Sequence, residues 1–248
     1  MTQPQRCPFD LHVLAPGGTR LRVRVRGEGD PLLLLNGLTR PLESWEPFAE
    51  RLTGRTTVSL DAPGVGGSPT PILPLSMARL AGLAVSVVDE LGLDHADVLG
   101  YSHGGAVAQQ MALQAPTRIR RLVLVSTSCG AGSTPGTHPR RRSRTSNAHP
   151  WPRPGTRGLL WNSLAISSWS SIPFLGAIAC PTLVVCGTHD RVVPPENSRL
   201  LARRIQAARL VMLPAGHDLQ RSGPADALAE TVESFLKASD TEWPPGRS

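Results

Sequence analysis

Apolar and polar positions along this chain follow two rhythms in turn. In Leu21-Arg22-Val23-Arg24-Val25-Arg26 an arginine occupies every second place. That period predicts a half-exposed antiparallel strand over 20–26, paired with a strand over 10–14 across the turn Pro16-Gly17-Gly18. Leu32 to Leu35 is continuously apolar, as a strand buried on both faces requires. Glu43 to Leu52 reads as a helix and Thr57 to Leu60 as the next strand. Leu75 to Leu91 has apolar residues at helical spacing and is stopped by Gly92. Ala96 to Leu99 is strand-like, and Gly104 to Gln114 is a helix of small residues that Pro116 terminates. Strands are expected again at Leu122 to Val125, Leu183 to Val185 and Leu210 to Leu213, with helices at Arg199 to Ile205 and Ala225 to Lys237. Strands alternating with helices after an antiparallel start imply an α/β class: a mostly parallel sheet with helices on both faces.

The chain has 248 residues, 40% of them hydrophobic, which suits one large α/β domain spanning 1–248. One stretch interrupts the rhythm. Residues 130–158 are rich in Pro, Gly, Ser, Thr and Arg without apolar periodicity, and read as a loop or poorly ordered lid. Apolar character returns from Leu159 to Leu175, with Trp161, Trp169 and Phe174, as in a short cap helix leaning over the site. A short, atypical cap insertion is therefore expected at about 130–175.

The same stretch accounts for the charge. The chain carries 26 Lys and Arg against 19 Asp and Glu, a net +7. Arg140, Arg141, Arg142, Arg144, Arg153 and Arg157 lie within 131–158, which holds no acidic residue, and the remainder is nearly neutral. Basicity confined to one segment, with Trp151 as its one interleaved aromatic, argues against nucleic acid as a partner. The longest aliphatic run, Leu32 to Leu35, is far short of a membrane span, and no secretory signal is visible, so a cytoplasmic location is expected. Cys7, Cys129, Cys180 and Cys186 form no CxxC pair and read as buried thiols. No His, Cys, Asp or Glu cluster has metal-ligand spacing, and neither a metal nor another cofactor is expected.

The chemistry-bearing motif is Gly100-Tyr101-Ser102-His103-Gly104. G-x-S-x-G alone is weak, but here a strand precedes it and a small-residue helix follows, the context of a nucleophile elbow. The tight turn strains the serine backbone and places its hydroxyl at a helix N-terminus, where developing negative charge is favoured. An elbow serine on such a sheet is followed in chain order by an acid and then a histidine. Between residues 98 and 189 there is no Asp or Glu, which leaves Asp190 and Glu196 ahead of the last histidine. Asp190 follows the buried strand Leu183 to Val185, whereas Glu196 begins a helix, where the dipole explains it. After Asp190 the one histidine is His217, beyond the strand Leu210 to Leu213.

Ser102, Asp190 and His217 are thus the candidate catalytic residues. A serine hydroxyl becomes nucleophilic once an imidazole accepts its proton, and the carboxylate holds the tautomer. The oxyanion requires two N–H donors. The backbone of His103 and the backbone of Leu38, in Asn36-Gly37-Leu38-Thr39, are the candidates. Asn36, Gly37, Tyr101 and Trp169 are expected to line the substrate pocket. The side chain of His103 is taken as a pocket wall rather than a second base, and His189 as a turn residue beside Asp190. The turn Asp61-Ala62-Pro63-Gly64-Val65-Gly66-Gly67-Ser68 lacks a Walker lysine and dinucleotide spacing, and reads as a tight βα crossing.

Asn36-Gly37, the Asp61 to Ser68 turn and Gly104-Gly105-Ala106-Val107-Ala108-Gln109-Gln110 resemble the α/β-hydrolase superfamily. More narrowly, with Trp169-Ser170-Ser171-Ile172-Pro173 and Pro181-Thr182-Leu183-Val184-Val185, the chain is similar to the intracellular poly(3-hydroxyalkanoate) depolymerase-like branch. The resemblance covers about residues 20–128 and 160–237 and implies hydrolysis of 3-hydroxyacyl or medium-chain acyl esters, small or oligomeric. It also implies a longer, apolar cap than residues 131–158 can supply. A C–C bond hydrolase or perhydrolase would use the same three residues. The competing class is a binding protein of this fold that has lost activity along with its cap.

Overall fold

The structure, a computed structural model, describes residues 8–137, 155–221 and 223–239. Most of the expected arginine segment, along with Cys7 and Trp151, lies outside the described residues. Eight strands form one sheet: β1 (Phe9–Ala15), β2 (Thr19–Arg26), β3 (Asp30–Leu35), β4 (Arg55–Leu60), β5 (Ala96–Tyr101), β6 (Ile119–Val125), β7 (Thr182–Gly187) and β8 (Ala208–Leu213). Their spatial order is β1-β2-β4-β3-β5-β6-β7-β8. The pairs β1/β2 and β2/β4 are antiparallel and the rest parallel, as the alternating and continuous runs predict.

Side-chain direction alternates along each strand, so consecutive leucines serve opposite faces. Leu33 and Leu35 join Val58, Val98, Leu122, Leu124 and Val184 on one face, under α2 (Met77–Glu90) and α3 (His103–Gln114). Leu32 and Leu34 join Leu99, Val123, Val125 and Val185 on the other, where Trp45 and Phe48 meet Leu228, Val232 and Phe235 of α6 (Ala225–Lys237). Two dry layers sandwich the central strands, so their carboxyl ends are rigid mounts.

On β2 the arginines point away from the core and are matched by acids. Arg22 reaches Asp10 at 2.6 Å and Glu43 at 2.6 Å, while Arg24 reaches Asp10 at 2.6 Å and Glu46 at 2.8 Å. The helix expected over Glu43 to Leu52 is divided into a 3₁₀ turn, Leu42–Trp45, and the single turn α1 (Glu46–Ala49). Pro47 lacks the N–H that a continuous helix would donate back to Glu43.

Between β6 and β7 the chain leaves the sheet. Residues 131–137 are irregular but tied down: Thr134 and Asn197 exchange hydrogen bonds of 2.8 and 2.9 Å, and Thr137 N–H donates to the Arg191 carbonyl at 2.9 Å. A helix, α4 (Thr156–Ser167), then lies over the loop after β4. Its Asn162 amide donates to the Pro63 carbonyl at 2.9 Å, and the Trp161 indole donates to the Pro71 carbonyl at 3.2 Å. After β7, α5 (Pro195–Arg204) carries Glu196 in its first turn, where its charge complements the dipole. Among the described residues no helix is long and apolar enough to cross a membrane, and no group of three or more His, Cys, Asp or Glu side chains could hold a metal. Cys129, Cys180 and Cys186 are free thiols, and burial pushes Cys180 up to about 11.

Candidate active site

The spatial order places β4 on one side of β3 and β5 on the other, so the loops leaving β3 and β5 diverge and open a crevice at the strand ends. The elbow leaving β5 is possible because its glycines touch backbone. A Cβ on Gly100 would lie 2.5 Å from the Gly104 carbonyl oxygen, and one on Gly104 would lie 2.2 Å from that of Leu35. Ser102 between them has φ 52° and ψ −117°, left-handed backbone that a side chain rarely adopts. Strain of about 1–3 kcal/mol is held there by the surrounding packing. Two further bonds pin the residue: Ser102 N–H donates to the Val125 carbonyl at 2.9 Å, and the Thr127 hydroxyl donates to the Ser102 carbonyl at 2.6 Å.

Asp190 and His217 come from the turns after β7 and β8. These turns are zipped together by Thr188 N–H to the Leu213 carbonyl (2.8 Å) and His189 N–H to the Ala215 carbonyl (3.0 Å). His189 contributes that backbone bond while its side chain is exposed. Asp190 is 3% exposed, and its Oδ1 accepts Val192 N–H and Val193 N–H, each at 2.9 Å. Its Oδ2 lies 2.8 Å from His217 Nδ1, and His217 Nε2 lies 3.2 Å from Ser102 Oγ. Two backbone donors fix the carboxylate, the carboxylate fixes the ring, and the ring faces the serine. Such a relay can move the hydroxyl proton onto the imidazole.

The oxyanion-loop candidates sit beside it. The Asn36 side chain is buried and donates to the Pro41 carbonyl (2.9 Å) and to Ser44 Oγ (2.7 Å), while its oxygen accepts Gly37 N–H at 2.9 Å. Gly37 N–H is thus occupied, and the next donor along the loop is Leu38. The Gly37 Cα packs on Tyr101 and Ser102, since a Cβ there would lie 2.9 Å from the Tyr101 ring and 3.5 Å from the Ser102 Cβ. His103 begins α3, and the first N–H groups of a helix have no intrahelical acceptor.

The His103 ring is 5% exposed and lines a cavity of about 30 Å³ with Asn36, Pro63, Leu80, Ala84 and Val107, where its Nε2 has no partner among the described residues. Burial pushes this imidazole down to about 4, with the Asn162 backbone a lesser opposing influence. Tyr101, expected at the pocket wall, is instead 1% exposed: its ring is 5.1 Å from that of His217, and its hydroxyl donates to Asp218 Oδ1 at 2.9 Å. Burial first, and Asp218 second, hold its phenol well above the ordinary range, so it stays a donor. Trp169, the other residue expected at the pocket wall, is half-buried. Its indole donates to Gln110 Oε1 at 2.7 Å on α3 and its ring packs on Phe174, which makes it a packing residue between insertion and helix.

Sequence reasoning missed Arg40, Asp218 and Thr127. Asp218 directly follows His217, and Arg40 directly follows Asn36-Gly37-Leu38-Thr39, so both adjoin residues already singled out. Burial raises the Asp218 carboxyl, but the Arg40 charge, the Tyr101 hydroxyl, His217 and Arg221 together bring it below the usual range.

A strained serine between β5 and α3, with a buried carboxylate after β7 and an imidazole after β8, defines the chain as an α/β hydrolase-type protein. The family model described as alpha/beta hydrolase fold matches residues 30–153 and 152–224, and the chain belongs to that family. A poly(3-hydroxyalkanoate) depolymerase of Ectopseudomonas oleovorans is 35% identical over 239 residues, covering 84% of this chain and 84% of that protein. A 2-hydroxymuconate semialdehyde hydrolase of Pseudomonas putida is 30% identical over 287 residues, covering 97% of this chain and 99% of that protein. Among solved structures, a hydrolase from Pseudomonas aeruginosa superposes with a TM-score of 0.80 at 28% identity, covering 92% of this chain and 98% of that one.

Proposed function

We propose that this chain is a serine hydrolase that cleaves carboxylic ester bonds through an acyl-enzyme, with Ser102 as nucleophile, His217 as base and Asp190 as its orienting carboxylate. The observation that carries this reading is the unbroken contact series from Asp190 Oδ2 to His217 Nδ1 (2.8 Å) and from His217 Nε2 to Ser102 Oγ (3.2 Å). As Ser102 Oγ attacks the ester carbonyl, its proton passes to His217 Nε2, and the imidazolium is stabilised by Asp190. Leu38 N–H and His103 N–H meet the oxyanion. His217 then protonates the departing alcohol, and a water, deprotonated by the same nitrogen, releases the acid and restores the serine.

The substrate we favour is a 3-hydroxyalkanoate oligomer or a related medium-chain acyl ester, supported by the likeness to the Ectopseudomonas depolymerase. The α4 segment serves as the cap over the crevice. A second reading, cleavage of a C–C bond by the same residues, is favoured by the nearly full-length likeness to the semialdehyde hydrolase.

The test is hydrolysis of a p-nitrophenyl ester series from acetyl to dodecanoyl by wild type and Ser102→Ala, with 2-hydroxymuconate semialdehyde alongside. Serine-dependent turnover greatest on medium chains supports the favoured reading. Turnover confined to the semialdehyde transfers the case to C–C hydrolysis. A folded wild type no faster than Ser102→Ala on any substrate overturns both and leaves a binding protein.

A further inference from the structure

Asp218 does not touch the imidazole beside it in the sequence, because Nδ1 of His217 is engaged by Asp190. Its carboxylate turns the other way. Oδ1 accepts both the Tyr101 hydroxyl at 2.9 Å and Arg40 Nη2 at 2.7 Å, and Oδ2 lies 3.5 Å from Arg221 Nη1. These partners belong to three separate pieces of the site. Tyr101 is the last residue of β5 and immediately precedes Ser102. Arg40 ends the turn that carries Leu38, closed by Arg40 N–H donating to the Gly37 carbonyl at 3.1 Å. Asp218 itself belongs to the loop that carries His217. Tyr101 is 1% exposed, and the Arg40 side chain is 11% exposed, so two of the three contacts are largely shielded from water.

We infer that Asp218 is a positioning residue: it staples the base-bearing loop to the oxyanion loop across the Tyr101 hydroxyl, setting the distance between His217 and the Leu38 N–H. Apart from the Tyr101 ring, which packs on both Gly37 and the His217 ring, no other group named in the site spans that gap: Asp190 holds the ring, and the Asn36 side chain bonds within its own loop. The inference rests on the hydrolase reading for its catalytic consequence and on geometry alone for the staple.

Removing the staple leaves all three reacting groups present but lets two loops drift. A displacement of about 1 Å in a reacting group can cost on the order of 100-fold in rate. Asp218→Ala is expected to lower kcat by roughly 30- to 100-fold while KM moves by less than about threefold, since ground-state binding is not what the staple provides. Asp218→Asn keeps an acceptor for the Tyr101 hydroxyl and should recover to within about tenfold of wild type. Tyr101→Phe added to Asp218→Ala should cost nothing more, because the two remove one shared interaction.

Amide hydrogen exchange supplies a readout independent of turnover: residues 36–41 and 214–221 should quicken together in Asp218→Ala, and more than amides of the central strands, while the stranded Tyr101 hydroxyl and Arg40 guanidinium lower the melting temperature. Full kcat in that variant, multiplicative losses in the double variant, or faster exchange at 214–221 with 36–41 unaltered would each overturn the staple. A wild type equal to Ser102→Ala would instead remove the hydrolase reading, and the exchange result would still decide whether the two loops are joined.

Discussion

Two buried carboxylates sit at opposite ends of the same sheet, and their surroundings differ in one respect. At the amino end of β5, Asp97 is 1% exposed and meets Arg55 Nη1 at 2.8 Å and Arg120 Nη2 at 2.5 Å. Arg55 extends the cluster to Glu233, 3.3 Å away. At the carboxyl end, Asp190 is 3% exposed and meets two backbone N–H groups and one imidazole. Asp97 is neutralised by two permanent cations, whereas Asp190 has a partner that can gain and lose a proton and whose second nitrogen faces a serine. Burial pushes the Asp97 carboxyl up, and Arg120, Arg55 and Arg121 work against it. Equal burial therefore does not mean equal purpose. A carboxylate saturated by guanidinium groups can only hold the fold, while one coupled to a titratable ring can take part in proton transfer.

That contrast is broken or kept by measurements that separate rate from stability. The largest effect is expected for Asp190→Asn, which should lower kcat by about 10⁴-fold by mis-setting the His217 tautomer. Its melting temperature should stay within a few degrees of wild type, since the amide oxygen can still accept Val192 and Val193 N–H. Loss of folding with the activity would make Asp190 a structural residue like Asp97. Next comes Asp97→Ala, expected to cost about 3 kcal/mol of stability because it breaks a buried ion pair and leaves the Arg55 guanidinium with Glu233, while the more exposed Arg120 is screened by solvent. Steady-state kinetics corrected for the folded fraction should be unchanged, and a fall there would mean that the two ends of the sheet are coupled.

The smallest effect concerns a buried histidine at the carboxyl end, His103. His103, held down to about 4 by burial, is neutral when folded, whereas in the unfolded chain it titrates near 6.5. Below about pH 6.5 the unfolded chain takes up a proton that the folded chain refuses until about pH 4, so stability falls as pH drops through that window. Relative to His103→Met, wild type should lose about 3 kcal/mol between pH 7 and pH 4, read from urea midpoints. Parallel curves would mean the ring is solvated, and the distinction between an engaged His217 and a buried His103 would disappear.

How far the site could be read in advance follows the range of the forces involved. Ser102 was legible because the elbow is a local device: close backbone approach at Gly100 and Gly104 constrains a few consecutive residues. Asp190 was legible by scarcity, since no other acid occupies residues 98–189. Arg40 and Asp218 were visible as letters but not as partners, because their bond joins positions 178 apart and the Tyr101 bond joins positions 117 apart. Trp169 was expected at the pocket because it is aromatic and near the cap, yet its direction depends on where Gln110 presents an acceptor.

By itself the sequence determined the strands and most of the helices, since a side-chain period of two or of 3.6 is a property of neighbours along the chain. It determined the elbow serine for the same reason. Only the tertiary structure decided the strand order that opens the crevice between β3 and β5, the convergence of Asp190 and His217 on Ser102, and the turning of Tyr101 and Asp218 towards each other. Those arrangements arise where separate elements pack, and the side chains that meet there are chosen by burial and by the need of buried polar groups for partners, which no local pattern records.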